Sequence, residues 1–345
     1  MKRALRKAAI NIARTALSPF YSGIGSILCL HRVVEPTSAP RISTNKALEI
    51  SPAALEQLIV YLLERNVRIV SLDEVHDILK SGKRAGRFLA FTFDDGYLDN
   101  LTLAYPIFKK YNVPFAINIT TSFVGNPERV WWYRLEEMIL ETKRVVIPGA
   151  HGQREIETPS REQKEIAFDK LCEIIRNLGA AEREDFLSRF FDVNPTSRIP
   201  HPASRLTMTW SEIKQLAADP LVAIGAHSVS HYDFNKLTDA EVLFELNESR
   251  RVIESQIGKQ VRHFAYPFGG RNAVGSREFA LAKSCGFKTV TTTRSANLFP
   301  AHAAHLECLP RIGISGNYPT LSRFKLVHSG ALAAFQHRFK RVVTD

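Results

Sequence analysis

The stretch FLAFTFDDGYLDN, residues 88–100, sets an apolar run of strand character against two adjacent carboxylates, Asp94 and Asp95, followed by Gly96. Side chains alternate across a strand, so two consecutive residues at its end point in different directions and need not share one job. One reading gives the pair two tasks, a proton acceptor and a metal ligand. The other makes Asp-Asp-Gly a turn, because Asp and Gly both favour turn geometry.

Working outward, the chain has 345 residues, 45% hydrophobic and 23% charged, which suits a globular protein with a full core, either one large α/β domain carrying an insertion or two domains. Cys29, Cys172, Cys285 and Cys308 are scattered and form no C-x-x-C pair, which argues against a zinc knuckle or a disulfide framework and for a reducing compartment. The net charge of +11 attracts anionic partners. The cations Lys2, Arg3, Arg6, Lys7 and Arg14 stand among small apolar residues, and FQHRFKRVV repeats the theme near the other end. We therefore expect a basic amphipathic segment over 1–24 and a basic tail over 321–345, each resting on an anionic membrane surface or lying as a solvated helix over a barrel. No apolar run is long enough to span a bilayer, and Arg14 interrupts what would be a signal peptide's apolar core.

Strand-like runs recur at 26–31, 87–93, 113–119, 221–227, 261–268, 287–292 and 307–312. Between them lie helical patterns, one with Ser51 as N-cap and another ending at Gly258. The alternation predicts an α/β fold, a parallel sheet of about seven strands closed or nearly closed into a barrel, spanning 25–320. A helical insertion at about 125–206 interrupts the rhythm and opens on Trp131 and Trp132, which either stack on sugar rings or enter a core.

In a parallel barrel the site forms at the C-terminal ends of the strands. Here those ends offer His31, Asp94, Asp95, His227, the turn at Gly269 and, in LPRI, Arg311. In HSVSH, His227 and His231 lie four apart; if the chain enters a helical turn there, both rings share one face and can grip a cation. Two imidazoles and one carboxylate form a three-ligand set that leaves room for water and substrate.

These motifs resemble the polysaccharide deacetylase family with the NodB homology domain, carbohydrate esterase family four. TFDDGY is similar to its first motif, HSVSH to its second and FAYPFG to its third, over roughly residues 25–315. The resemblance implies a distorted, NodB-like (β/α) barrel, a divalent metal (most often Zn2+, with Co2+, Ni2+ or Fe2+ as alternatives) and hydrolysis of acyl groups on an amino sugar. Carried over, Asp94 is the general base, Asp95, His227 and His231 hold the metal, and the backbone N–H of Phe268 faces the oxyanion, with Pro267 shaping that turn. Tyr97, Trp131, Trp132 and Arg311 are candidate substrate or orienting residues.

The chain departs from the family at Ala265, where the third motif usually carries Arg, and lacks clear fourth and fifth motifs. Arg311 is our candidate to orient Asp94 instead. LCLHRV resembles an N-terminal element of the poly-glucosamine branch whose His is the acid, which makes His31 the expected proton donor, with His302 and His305 in reserve. The leading expectation is a metal-dependent deacetylase of a bacterial polysaccharide or glycolipid precursor, cytoplasmic or peripheral at the inner face of the membrane. Alternatives are a deformylase or other amide hydrolase on the same fold, or a silent glycan-binding protein. Nucleic acid is not an expected partner, since charge alone supports it. No oligomeric state is assigned.

Overall fold

A computed structural model describes residues 15–82, 86–149, 152–195, 205–314, 316 and 320–344. Eight strands build one parallel sheet: β1 Gly25–Leu30, β2 Arg68–Ile69, β3 Phe88–Phe93, β4 Phe115–Ile119, β5 Val222–Ala226, β6 His263–Ala265, β7 Thr289–Thr291 and β8 Ile312–Gly313. The order is β7-β6-β5-β4-β3-β1-β8, with β2 sharing the edge of β3 with β4. The sheet curls until its two ends meet, because Leu309 donates to the Val290 carbonyl (2.9 Å) and accepts from the Thr292 N–H (2.8 Å). The distorted barrel expected from the sequence is thus present, with one more strand than was read.

The strands are apolar for a physical reason. Every residue of β1, β3 and β4 is buried, as parallel strands covered on both faces must be. Phe91, Phe93, Phe108 and Phe115 interlock beneath the site, with Phe108 and Phe115 stacked at 4.3 Å. Ser51 accepts the Ala54 N–H (3.2 Å) and starts the helix Pro52–Leu63, and Gly258 at φ 69° ends Asp239–Ile257.

Between β4 and β5 the chain leaves the barrel for a helix at Trp131–Glu141, an antiparallel hairpin (Arg144–Gly149 with Gly152–Glu157), and helices at Arg161–Asn177 and Ala180–Val193. The hairpin falls within the stretch that the sequence assigned to a helical insertion. This unit has its own core, in which Phe123, Trp131, Trp132, Met138, Phe168 and Phe190 meet.

The basic tail expected over 321–345 is a folded part of the body. Helix Thr320–His328 packs Phe324 on Tyr61 of Pro52–Leu63, with ring centroids 6.2 Å apart. Of the expected N-terminal segment, residues 15–21 are helical and 1–14 lie outside the described residues. No helix among the described residues is long and apolar enough to cross a membrane.

Candidate active site

The site forms where β1, β3, β5 and β6 end. Asp94 follows β3 and is fully buried. Arg311, which precedes β8 instead of ending a strand, runs its guanidinium through the barrel interior and donates to both Asp94 oxygens, Nη1 to Oδ1 at 2.8 Å and Nη2 to Oδ2 at 2.7 Å. Its remaining donors reach Thr92 Oγ1 and the Thr292 carbonyl, both at 3.0 Å. Asn118 of β4 adds a hydrogen bond to Asp94 Oδ1 (2.8 Å), and the Cys29 thiol points at Oδ2 (3.4 Å). Burial opposes a charge on Asp94, yet Arg311, with His227 nearby, holds the carboxyl well below the usual range. Gly225 makes room for this arrangement, since a Cβ there would fall 2.3 Å from Asn118 Oδ1.

Asp95 turns away from Asp94 through a left-handed backbone, φ 75°. Its Oδ1 lies 3.4 Å from His227 Nε2 and 3.3 Å from His231 Nε2. His227 Nδ1 donates to the Ala265 carbonyl at 2.7 Å, which fixes the tautomer and aims the Nε2 lone pair at Asp95. Burial lowers His227 to about 4, so the ring is neutral at pH 7. Burial also works against ionised Asp95, but His231 beside it and His227 keep its pKa below the ordinary value.

The pair His227 and His231 is not brought together by a helical turn. The segment 227–233 is a loop, with Ser228 at φ 68° and His231 at φ 55°. Left-handed non-glycine residues are costly and persist where their surroundings over-determine them. The surroundings here are explicit. Glu245 accepts the Val229 and Ser230 N–H groups (2.7 and 2.9 Å), Ser228 Oγ accepts the His231 N–H (3.0 Å), and Arg183 donates to the Ser230 and His231 carbonyls (2.7 and 2.9 Å). Arg176 pairs with Asp233 (2.6 and 3.1 Å) and lies 3.9 Å over the Phe268 ring, itself 4.7 Å from His231. Phe268 too is left-handed, at φ 58° between Pro267 and Gly269.

The three groups fit a divalent ion. Asp95, His227 and His231 are 2%, 2% and 6% exposed, Asp95 Oδ1 is buried with no hydrogen-bond donor, and one ligand atom from each lies within 4.8 Å of the others. A buried carboxylate facing the Nε2 atoms of two imidazoles is a donor set that a cation satisfies.

Of the candidate proton donors, only His31 reaches the site. It follows β1, is half-buried, and presents a ring nitrogen within 4.8 Å of an Asp94 oxygen. His302 instead accepts the Phe299 N–H (2.9 Å), and His305 sits beside Glu307, so neither reserve candidate joins Asp94. Trp131 and Trp132 are 4% and 7% exposed, too buried to offer a face to a sugar; Trp132 packs 5.2 Å from the His231 ring. Tyr97 is fully buried, edge-on to Tyr133 and close enough to Asp95 for burial and that charge to raise its phenol. Neither its position nor that of the tryptophans makes a direct sugar contact.

Sequence reasoning missed Asn118, Cys29, Glu245, Arg176 and Arg183. The first two occupy inward positions of β4 and β1, where a polar residue in an apolar strand is itself a signal.

A family model described as polysaccharide deacetylase matches residues 187–290, which include HSVSH and the Phe268 turn. The Bacillus subtilis (strain 168) protein "Putative polysaccharide deacetylase YxkH" is 25% identical over 134 residues, 37% of this chain, which spans about half of that relative (47%). Among solved structures, IcaB from Ammonifex degensii aligns with a TM-score of 0.55 at 18% identity, over 90% of this chain and 97% of its own. Streptococcus pyogenes deacetylase PplD in complex with acetate gives 0.55 at 17% identity, over 86% and 96%. At these identities the structures show a shared fold. The chain is similar to polysaccharide deacetylases, and the resemblance read from its three motifs is borne out.

Proposed function

We propose that this chain is a metal-dependent hydrolase that removes an N-acetyl or related acyl group from an amino sugar in a polysaccharide or glycolipid precursor. The observation that carries the reading is the division of labour between adjacent acids: Asp95 faces two imidazoles, while Asp94, one residue away, is locked to Arg311. The polysaccharide deacetylase match supports the substrate class.

Asp95, His227 and His231 would hold the cation, which would polarise the acyl carbonyl and acidify a water. Asp94 accepts a proton from the attacking water at Oδ2, which it shares with Arg311 Nη2 and the weakly held Cys29 thiol. Because Arg311 favours the ionised form, Asp94 passes that proton on to solvent and returns to the carboxylate. His31, at the mouth beside it, delivers a proton to the departing amine. The Phe268 N–H, presented by the left-handed turn after β6, faces the developing oxyanion.

The test joins two measurements on purified protein: bound divalent metal, and amine released from a panel of N-acetylated oligosaccharides and lipid-linked sugars. Metal at one ion per chain with amine release abolished by chelation is the expected result. Full turnover after complete metal removal overturns the proposal.

A further inference from the structure

Among the described residues six large apolar side chains are exposed, and three of them belong to two segments that meet through Tyr21 and Phe339: Phe20 (58%), Phe335 (58%) and Phe339 (51%). The other three, Leu63, Ile166 and Phe244, sit singly on three separate helices. At the meeting point the Tyr21 hydroxyl donates to the Phe339 carbonyl (3.1 Å), the Tyr21 and Phe339 rings are 6.0 Å apart, and Phe335 stands 5.4 Å from Phe339. Two successive residues, Arg338 and Phe339, are left-handed at φ 50° and 64°. Such a backbone is disfavoured for side chains of this size. It holds an aromatic ring half in solvent, where core packing gives it no reward.

The charge is gathered at the same place. Arg338, Lys340 and Arg341 are exposed, and the Arg341 guanidinium lies 5.7 Å over the Tyr21 ring. Residues 1–34 hold six Lys and Arg, residues 308–344 six more, and neither stretch contains an Asp or Glu. The chain's whole positive excess of 11 therefore resides in its two terminal stretches. Of these cations, Arg32 and Arg311 belong to the active-site end of the barrel, whereas Arg338, Lys340 and Arg341 stand exposed beside the aromatic patch. Exposed aromatic side chains beside a basic cluster match a lipid interface, where rings enter the headgroup region and cations face anionic lipid.

We propose that Phe20, Tyr21, Phe335 and Phe339, with Arg338, Lys340 and Arg341, form a docking surface for an anionic phospholipid bilayer. Tyr21 leads into the N-terminal end of β1 and His31 follows its C-terminal end, so the patch and the catalytic mouth are separated by a strand of six residues, about 20 Å. The docked molecule holds its mouth away from the bilayer, which suits a glycan that extends from its anchor. The docking itself does not depend on the reading of the active site.

The test uses the full chain and vesicles of phosphatidylcholine alone or mixed with phosphatidylglycerol. Co-sedimentation is expected with the mixed vesicles only, weakening as salt is added. Phe335→Ser with Phe339→Ser, and separately Arg338→Glu with Lys340→Glu, should each reduce the partition coefficient roughly tenfold. Unchanged thermal melting shows that the variants fold. Equal sedimentation with neutral and anionic vesicles overturns the proposal, as does unaltered binding by both variants. A wild-type dimer in sedimentation velocity that the Phe variant dissolves, without vesicle binding, assigns the patch to a second copy and also overturns it.

Discussion

Arg311 and Asp94 form a two-pronged ion pair sealed inside the barrel, 217 residues apart in sequence and both essentially inaccessible to solvent. A buried pair of this kind contributes little net stability against an apolar replacement, but removing one partner strands the other charge. Arg311→Met should therefore cost about 3–5 kcal/mol in urea unfolding. Arg311→Lys, which keeps the charge and loses the fork, should fall between parent and Met. A loss no larger than that of an ordinary surface substitution would show that Asp94 does not depend on this guanidinium.

The adjacent acids are separable by substitution. Asp94→Asn keeps shape beside the cation-binding groups but cannot take a proton, so metal content should hold while kcat falls roughly 10²-fold or more. Asp95→Asn removes the anionic ligand, so metal affinity should drop and excess metal should restore part of the rate. Near-normal kcat in Asp94→Asn contradicts the mechanism, and tolerance of Asn at both positions returns the motif to a simple turn.

Arg183 holds the loop that carries His231, and on the proposed reading it acts on the cation site through that loop. Arg183→Ala frees two carbonyls of the Ser230–His231 segment, and supports of this kind are worth about 10- to 100-fold in metal affinity. The readout is metal dissociation by competition with a chromogenic chelator. An unchanged affinity would limit Arg183 to packing on Tyr232, whose ring it covers at 3.5 Å.

His302 gives a prediction about pH. Burial lowers it to about 4, against an ordinary value of about 6.5. Below pH 6.5 the unfolded chain takes up a proton that the folded chain refuses until about pH 4, so stability falls as pH falls through this window, by at most roughly 3 kcal/mol. His302→Gln should flatten that part of the stability profile and leave deacetylation intact. Loss of turnover with metal retained would reinstate His302 as a proton donor.

What the sequence made legible was local. TFDDGY and HSVSH carry their meaning within six residues, and the apolar strands of a two-sided parallel sheet announce themselves in runs such as FAINI. Strand β2 escaped because it is two residues long and only partly buried, and the hairpin at 144–157 escaped because most of its described residues are exposed or half-buried, with Val145 alone fully buried. Glu245, Arg176 and Arg183 were illegible for another reason. Each lies on an amphipathic helix where a charged residue reads as solvated surface, and only the tertiary fold turns it toward the His231 loop. The backbone path was illegible too: a four-residue spacing suggests a helix, but left-handed Ser228 and His231 bring the rings together instead.

The grip of Arg176 and Arg183 on the segment 230–233 has a consequence for how such an enzyme can diversify. A unit inserted between two barrel strands is the natural place to vary when a new glycan must be accommodated, because the barrel tolerates it as a graft. Here the graft is wired into the ligand loop, and a chimera carrying a foreign insertion would inherit a slack His231. On the proposed function, selectivity and cation retention would then change together, and a donor insertion would be interchangeable only if it brought two arginines to the same carbonyls and carboxylate.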